Sequence, residues 1–265
     1  MKGAPFGKGG RAGRPWLGIM AAAAVFAVTA AAAAAEVDHS AFGSLLREHL
    51  HGSLADYDGF KRDEALLDTY LDHLAAVEVG QLPANEQFAF YVNAYNAWTI
   101  KLILTGWPGV ESIKELGSLF RSPWKKNFVR LRSGMVSLDH IEHEILRPRF
   151  QDPRVHFAVN CASIGCPPLY PEPFTAERLD AQLDDATRSF INDPGYNRLE
   201  NGTLFVSSIF KWYAEDFEGG VLPFFLKYAD GPLREALEAR KESIVIDYLD
   251  YDWSLNAWRE GGGSK

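Results

Sequence analysis

Cysteine is nearly absent: the 265 residues contain two, Cys161 and Cys166. A disulfide framework of the kind that staples small secreted domains is therefore excluded. The most this pair can form is one bridge, and a bridge closing so short a loop constrains little of the unfolded chain. Basic charge is also in deficit, with Lys+Arg 27 against Asp+Glu 35 and a net charge of -8. That balance argues against nucleic acid or an anionic membrane as partner. No internal repeat and no low-complexity linker interrupts the region after the first forty residues. Also missing are a Gly-rich phosphate loop, a G-x-S-x-G elbow and an H-E-x-x-H pair, so three common routes to catalysis have no motif here.

What is present begins with a leader. Lys2, Lys8, Arg11 and Arg14 form a basic region without an acidic residue, Trp16 to Ala32 is apolar and Ala-rich, and Ala33-Ala34-Ala35 precedes Glu36. This is the pattern of a secretory signal peptide over residues 1–35. No cysteine follows the apolar run and no twin-Arg pair precedes it, so the expectation is a protein exported by the general route, periplasmic or secreted, with no membrane attachment after cleavage; the alternative is a retained N-terminal anchor, since the apolar run is near spanning length. Removing the leader takes away four positive charges and moves the net charge from -8 to -12. Residues 36–260 are expected to form a single globular domain, with 261–265 a flexible tail.

Apolar spacing predicts amphipathic helices over 39–51, 62–77 and 175–192. A longer helix over 85–105 is apolar on almost every face and is placed at the centre of the core. His39, His49, His51 and His73 are read as solvated on the polar sides of the first two helices. Hairpins are expected over Ser133-Gly134 and Asn201-Gly202. Short aromatic-rich helices follow at 209–217 and 222–228, then a charged surface turn at 235–240 and a strand at 243–248. The fold class is α+β: a helix-dominated domain with a small, mostly antiparallel sheet, distantly like the papain-like cysteine hydrolases.

The segment Arg154 to Leu169 carries the chemistry. Val155, Phe157 and Val159 alternate with His156, Ala158 and Asn160 as in a strand. The chain then breaks at Asn160-Cys161-Ala162-Ser163 and leaves through Gly165, Cys166, Pro167 and Pro168. Cys161 is the nucleophile candidate. A helical turn starting at Ala162 would set its thiol at a helix N-terminus, where thiolate is favoured. A base is needed as well. In an extended run His156 lies about 16 Å from Cys161 and faces the other way, so it is read as a sheet or supporting residue. His143 is the preferred base, on a helix over 139–147, with Asp139 one turn earlier as its orienter or simply the N-cap. Asp139 and Glu142 resemble a capping box, and Glu142 is expected to point away from His143. Asn93 and Asn96 share a helix face and either tie down loops or line the site. Asn160 and Asn93 are candidates to hold an oxyanion. No cofactor is called for. His140, His143, Cys161 and Cys166 are ligand types that zinc accepts, but their spacings match no zinc motif, and no metal site is assigned. Trp212, Tyr213, Tyr251 and Trp253 are read as core residues, or as the wall of a ligand groove.

At Phe90-Tyr-Val-Asn-Ala-Tyr-Asn-Ala97, Leu138-Asp-His-Ile-Glu-His-Glu-Ile-Leu-Arg-Pro148 and Arg154 to Ser163 the chain resembles the domain of unknown function 547 family. The resemblance continues through Gly165 to Leu169, Ile209 to Tyr213, Asp216-Phe217 and Tyr251 to Asn256. It implies that Asn93, Tyr95, Asn96, Glu142, His143, Arg147, His156, Asn160, Cys161 and Ser163 occupy the family's recurring positions. It also implies an exported bacterial member, and it supplies no substrate. The expected function is a cysteine-dependent hydrolase or acyl/amide transferase acting on a peptide or other amide in the periplasm. The alternative is a non-catalytic binding module with Cys161 and Cys166 bridged.

Overall fold

The computed structural model describes Met1 and residues 36–118 and 121–260. The expected leader, beyond Met1, and the tail lie outside the described residues. Helix α1 (Ser40–His49) leads into a two-residue hairpin of β1 (Leu50–His51) and β2 (Leu54–Ala55), then α2 (Tyr57–Arg62) and α3 (Glu64–Ala76). The apolar run at the centre of the chain becomes α4 (Ala84–Leu104), in which every residue from Glu86 to Leu104 except Lys101 is buried. An all-round apolar helix is stable only when it is enclosed. Here α2 and α3 pack on it directly, and α1 packs on α2 and α3. Lys101, its one outward cation, pairs with Glu64 and Asp68 of α3 at 2.8 and 2.5 Å.

The second hairpin, β3 (Val129–Leu131) and β4 (Gly134–Val136), turns at Arg132-Ser133, one residue before the expected Ser133-Gly134, with Gly134 paired to Leu131; it feeds three contiguous helical pieces: α5 (Leu138–His140), a π-helical turn (Ile141–Leu146) and α6 (Arg147–Phe150). Beyond them lie α7 (Val155–Ala158) and α8 (Leu179–Asn192). Hairpin β5 (Arg198–Glu200) and β6 (Thr203–Val206) follows, then α9 (Ile209–Trp212), a 3-10 turn (Ala214–Asp216), α10 (Val221–Tyr228), α11 (Gly231–Arg240) and β7 (Val245–Tyr248). The largest sheet has order β5-β6-β7, antiparallel then parallel. The fold is helix-dominated α+β, as its periodicities indicate. Among the described residues no helix is long and apolar enough to cross a membrane.

Three expectations need correction. Residues 155–158 are a helical turn, not a strand. They lie between two hydrophobic clusters, with Val155 and Ala158 in the one built on α4 and Phe157 in the other, among Phe190, Phe210 and Phe224. Burial on every side produces an apolar pattern that a few residues of strand would also show. The charged stretch 235–240 is the end of helix α11, whose Leu237 is buried. Finally, His39 and His49 are buried rather than solvated: His39 Nδ1 bonds the Tyr70 hydroxyl at 2.6 Å and His49 Nε2 bonds Asp63 at 2.8 Å. Burial pushes His39 down to about 4, so it is neutral at physiological pH.

Candidate active site

The loop after α7 is fixed by amides. Asn96 of α4 accepts from the Asn160 backbone N–H at 2.8 Å and donates to the Ala158 carbonyl at 2.9 Å. The Asn160 side chain accepts from Ala162 N–H at 2.8 Å and donates to Pro167 O at 2.7 Å, so it joins both limbs of the loop that carries Cys161 and Cys166. This turn holds Ala162 at φ +62°, a left-handed conformation that an alanine adopts only when its surroundings impose it. Asn93 instead brackets Phe174, donating to its carbonyl and accepting from its N–H. Both α4 amides therefore tie down loops, and neither Asn93 nor Asn160 lines the cavity that holds the thiol. Replacing Asn160 with alanine would strand two buried backbone groups, and the expected loss is about 2–4 kcal/mol. A fall in the urea midpoint of unfolding at unchanged m-value measures it.

The chain's last described stretch lies across this loop. Ile164 N–H donates to Ser254 O, Gly165 N–H to Asp252 O and Asn256 N–H to Ala162 O. Gly165 permits the approach: a Cβ there would sit 3.0 Å from the Asp252 nitrogen and 3.1 Å from its oxygen. Tyr251 is thereby delivered to the thiol, with its hydroxyl 3.1 Å from Cys161 Sγ, while Ser163 Oγ lies at 3.5 Å. The turn after Cys161 is not helical, so no helix N-terminus activates the sulfur. Discrete donors do so instead. The hydrogen bond from the Cys166 thiol, opposed by burial and aided by Tyr251 and Ser163, brings Cys161 down to about 7. Burial drives Cys166 well above the usual thiol range, so the two sulfurs are differentiated. Both are free thiols.

Cys161 opens into a cavity of about 210 Å³ whose lining includes Tyr95, Asp139, Glu142, His143, His156, Cys166, Trp212, Tyr213 and Tyr251. The structure thus brings Cys161, His143, Asp139, Glu142 and His156 to one cavity. The π turn is part of the reason: five residues to the bond instead of four reduce the angle between neighbours, so Glu142 and His143 can share a face. Glu142 is buried and accepts from the Tyr213 hydroxyl at 2.8 Å, rather than pointing away. Asp139 does not cap the helix; Ser137 does, accepting from His140 N–H at 3.0 Å. Asp139 lies 4.0 Å from His143 Nε2, too long for a hydrogen bond. His143 Nδ1 is 3.2 Å from the Arg147 guanidinium, which can only donate, so the Nδ1 lone pair is occupied.

His156 has the opposite arrangement. Because residues 155–158 are helical, it faces the cavity that holds the thiol. Its Nε2–H donates to Asp216 Oδ2 at 2.6 Å, and its ring stacks on Tyr213 with centroids 4.1 Å apart. Asp216 also accepts from Arg147 at 2.6 and 3.0 Å. Although partial burial pulls the other way, the His156 and Arg147 hydrogen bonds hold Asp216 well below the usual carboxylate range. Asp216 therefore stays ionised and fixes the tautomer of His156, leaving Nδ1 as a lone pair with no described residue bonded to it.

Residues 79–191 match the family model described as protein of unknown function, DUF547. Over that segment the chain is similar to the DUF547 family. No curated protein and no solved structure matches the chain. The DUF547 segment contributes Tyr95, Glu142, His143, His156, Cys161 and Cys166 to the cavity, whereas Trp212, Tyr213 and Tyr251 come from beyond its end. Residue-by-residue reading missed Asp216 as the partner of His156 and Tyr251 as the partner of the thiol. Both fall in motifs that carried the family resemblance, which was the only signal available for pairs 60 and 90 residues apart. Among the described residues no group of three or more His, Cys, Asp or Glu could hold a metal ion.

Proposed function

We propose that the protein is an exported cysteine-dependent hydrolase or acyl/amide transferase acting on a peptide or other small amide. The observation that carries this reading is an activated, half-buried thiol sharing a small cavity with a carboxylate-oriented imidazole. Cys161 thiolate attacks the substrate carbonyl. His156, held by Asp216, takes the Cys161 thiol proton on Nδ1 as the thiolate forms and passes that proton to the leaving nitrogen, and water or a second amine then releases the acyl group. His156 is assigned this role in place of His143 because the Arg147 guanidinium already occupies the His143 lone pair. The Tyr95 hydroxyl, buried and bonded to no described residue, is available to donate to the carbonyl oxygen as charge develops on it.

A second reading has an observation of its own. Trp212 is 43% exposed and packs against Tyr251 and Trp253 at 4.8 and 5.7 Å between centroids, an aromatic wall suited to holding a flat or apolar ligand without chemistry. Turnover of p-nitrophenyl acetate separates the two. The enzyme reading expects an acetyl adduct on Cys161 by intact mass, a burst of nitrophenolate, and loss of both in Cys161→Ser. Equal rates in the wild type and Cys161→Ser would remove the enzyme reading and leave the binding module.

A further inference from the structure

The cavity contains a second sulfur that amide chemistry does not use. Cys166 lies buried at the back of the loop, and its Sγ accepts from the Cys161 backbone N–H at 2.9 Å. The same two-armed Asn160 contact that fixes the loop holds its limbs together, so the thiols are kept as neighbours and not merely close in sequence. Both line one cavity, and both are free. One is reachable and the other is enclosed, the division of labour between an attacking and a resolving thiol.

We infer that Cys161 and Cys166 act as a dithiol–disulfide couple, giving the site a second activity: reduction of small disulfides by thiol exchange. Cys161 thiolate attacks one sulfur of a disulfide R–S–S–R. A Cys161–S–S–R bond forms, the original S–S bond breaks, and the first RS⁻ leaves and takes up a proton. Cys166 then gives up its proton and attacks Cys161 Sγ in the mixed disulfide. The Cys161–Cys166 bond forms and the second RSH departs. The substrate disulfide gains two electrons and becomes two thiols, and the protein dithiol loses two electrons. The cavity, at about 210 Å³, admits a small disulfide to Cys161. It leaves Cys166 to be reached only through the bound intermediate, so the order of the two attacks is set by burial. Oxidation also withdraws the nucleophile from any acyl chemistry, which makes the two activities mutually exclusive at one time.

The test is exposure of the fully reduced protein to bis(2-hydroxyethyl) disulfide, followed by intact mass and by the free thiol released. Wild type is expected to lose two hydrogens, carry no adduct and release two equivalents of 2-mercaptoethanol. Cys166→Ser and Cys166→Ala should each stop at a stable adduct on Cys161 with one equivalent released, and Cys161→Ser should not react. The inference is overturned if wild type stays reduced, if it accumulates the same adduct as the Cys166 variants, or if Cys161→Ser reacts as fast as wild type. None of these readouts involves acyl transfer. A failed exchange with an intact nitrophenyl acetate burst removes only the couple, and the reverse result removes only the hydrolase.

Discussion

Alkylation of Cys161 by iodoacetamide should rise through a midpoint near pH 7, the value its thiol reaches in the fold. The midpoint is a stronger observable than the absolute rate. At pH 7 a thiol of pKa about 7 is roughly half ionised, against about 3% for an ordinary cysteine, a gain of about sixteen-fold. Intrinsic nucleophilicity falls with pKa, however, with a Brønsted slope of about 0.4–0.5, and that returns about five-fold of the gain. A net advantage of only about three-fold over free cysteine remains at pH 7, while the midpoint is displaced by more than a full pH unit. Tyr251→Phe removes one donor to the thiolate and should move the midpoint upward with the fold intact. A midpoint at the ordinary thiol value in the wild type would mean that the hydrogen bonds around the sulfur do not operate. The linkage has a definite sign. The thiol is lowered in the folded state, so its contribution to stability is full above the ordinary thiol range and is lost as pH falls through about 7.

Asp216→Asn is expected to have the largest effect on turnover. Asp216 accepts from His156 and twice from Arg147 through its two oxygens. Asparagine has one carbonyl oxygen and an NH₂ group, so a donor must face either the guanidinium or the imidazole. If the amide turns its oxygen to Arg147, His156 meets an N–H and must flip its tautomer, which protonates the nitrogen needed as base. Loss of a general base typically costs about 10²–10⁴ in rate. The stability cost should be smaller, about 1–3 kcal/mol, because the group is partly exposed and solvent screens the loss. The comparison that checks this is kcat of p-nitrophenyl acetate hydrolysis against the urea midpoint. A rate unchanged with the midpoint lowered would reduce Asp216 to a structural anchor. Acid should act in the same direction as the substitution. Asp216 is depressed in the folded state, so its stabilisation is complete above the usual carboxylate range and disappears as pH falls below it.

How much of this was legible beforehand depended on distance along the chain. Helices α1, α3, α4 and α8 and the two hairpins follow from local spacing, the second with its turn at Asn201-Gly202 as expected and the first with its turn one residue earlier than expected, because a 3.6-residue period and a Gly-bearing turn are local properties. That Cys161 sits in a loop was also legible, from a polar break after an apolar run. The error at 155–158 was local too: a single buried helical turn has too few residues to show a period. It carried a large consequence, since extending that segment put His156 out of reach and gave His143 the base role. The π turn at 141–146 hid Glu142 in the same way, through a rotation that no spacing rule assumes. What could not be read were the long-range partners. Nothing near residue 156 specifies Asp216, and nothing near residue 161 specifies Tyr251.

The lateness of Tyr251 has a consequence for how the protein is made. Residues 251–256 are the last in chain order to join the site, and they bring the hydroxyl to the sulfur and close the backbone bonds over Ile164 and Gly165. During synthesis, every other part of the cavity leaves the ribosome first. Until that segment emerges and docks, Cys161 lacks one of its donors and stays a less acidic thiol. The sulfur therefore gains its full set of hydrogen bonds only once residues 251–256 have joined the loop.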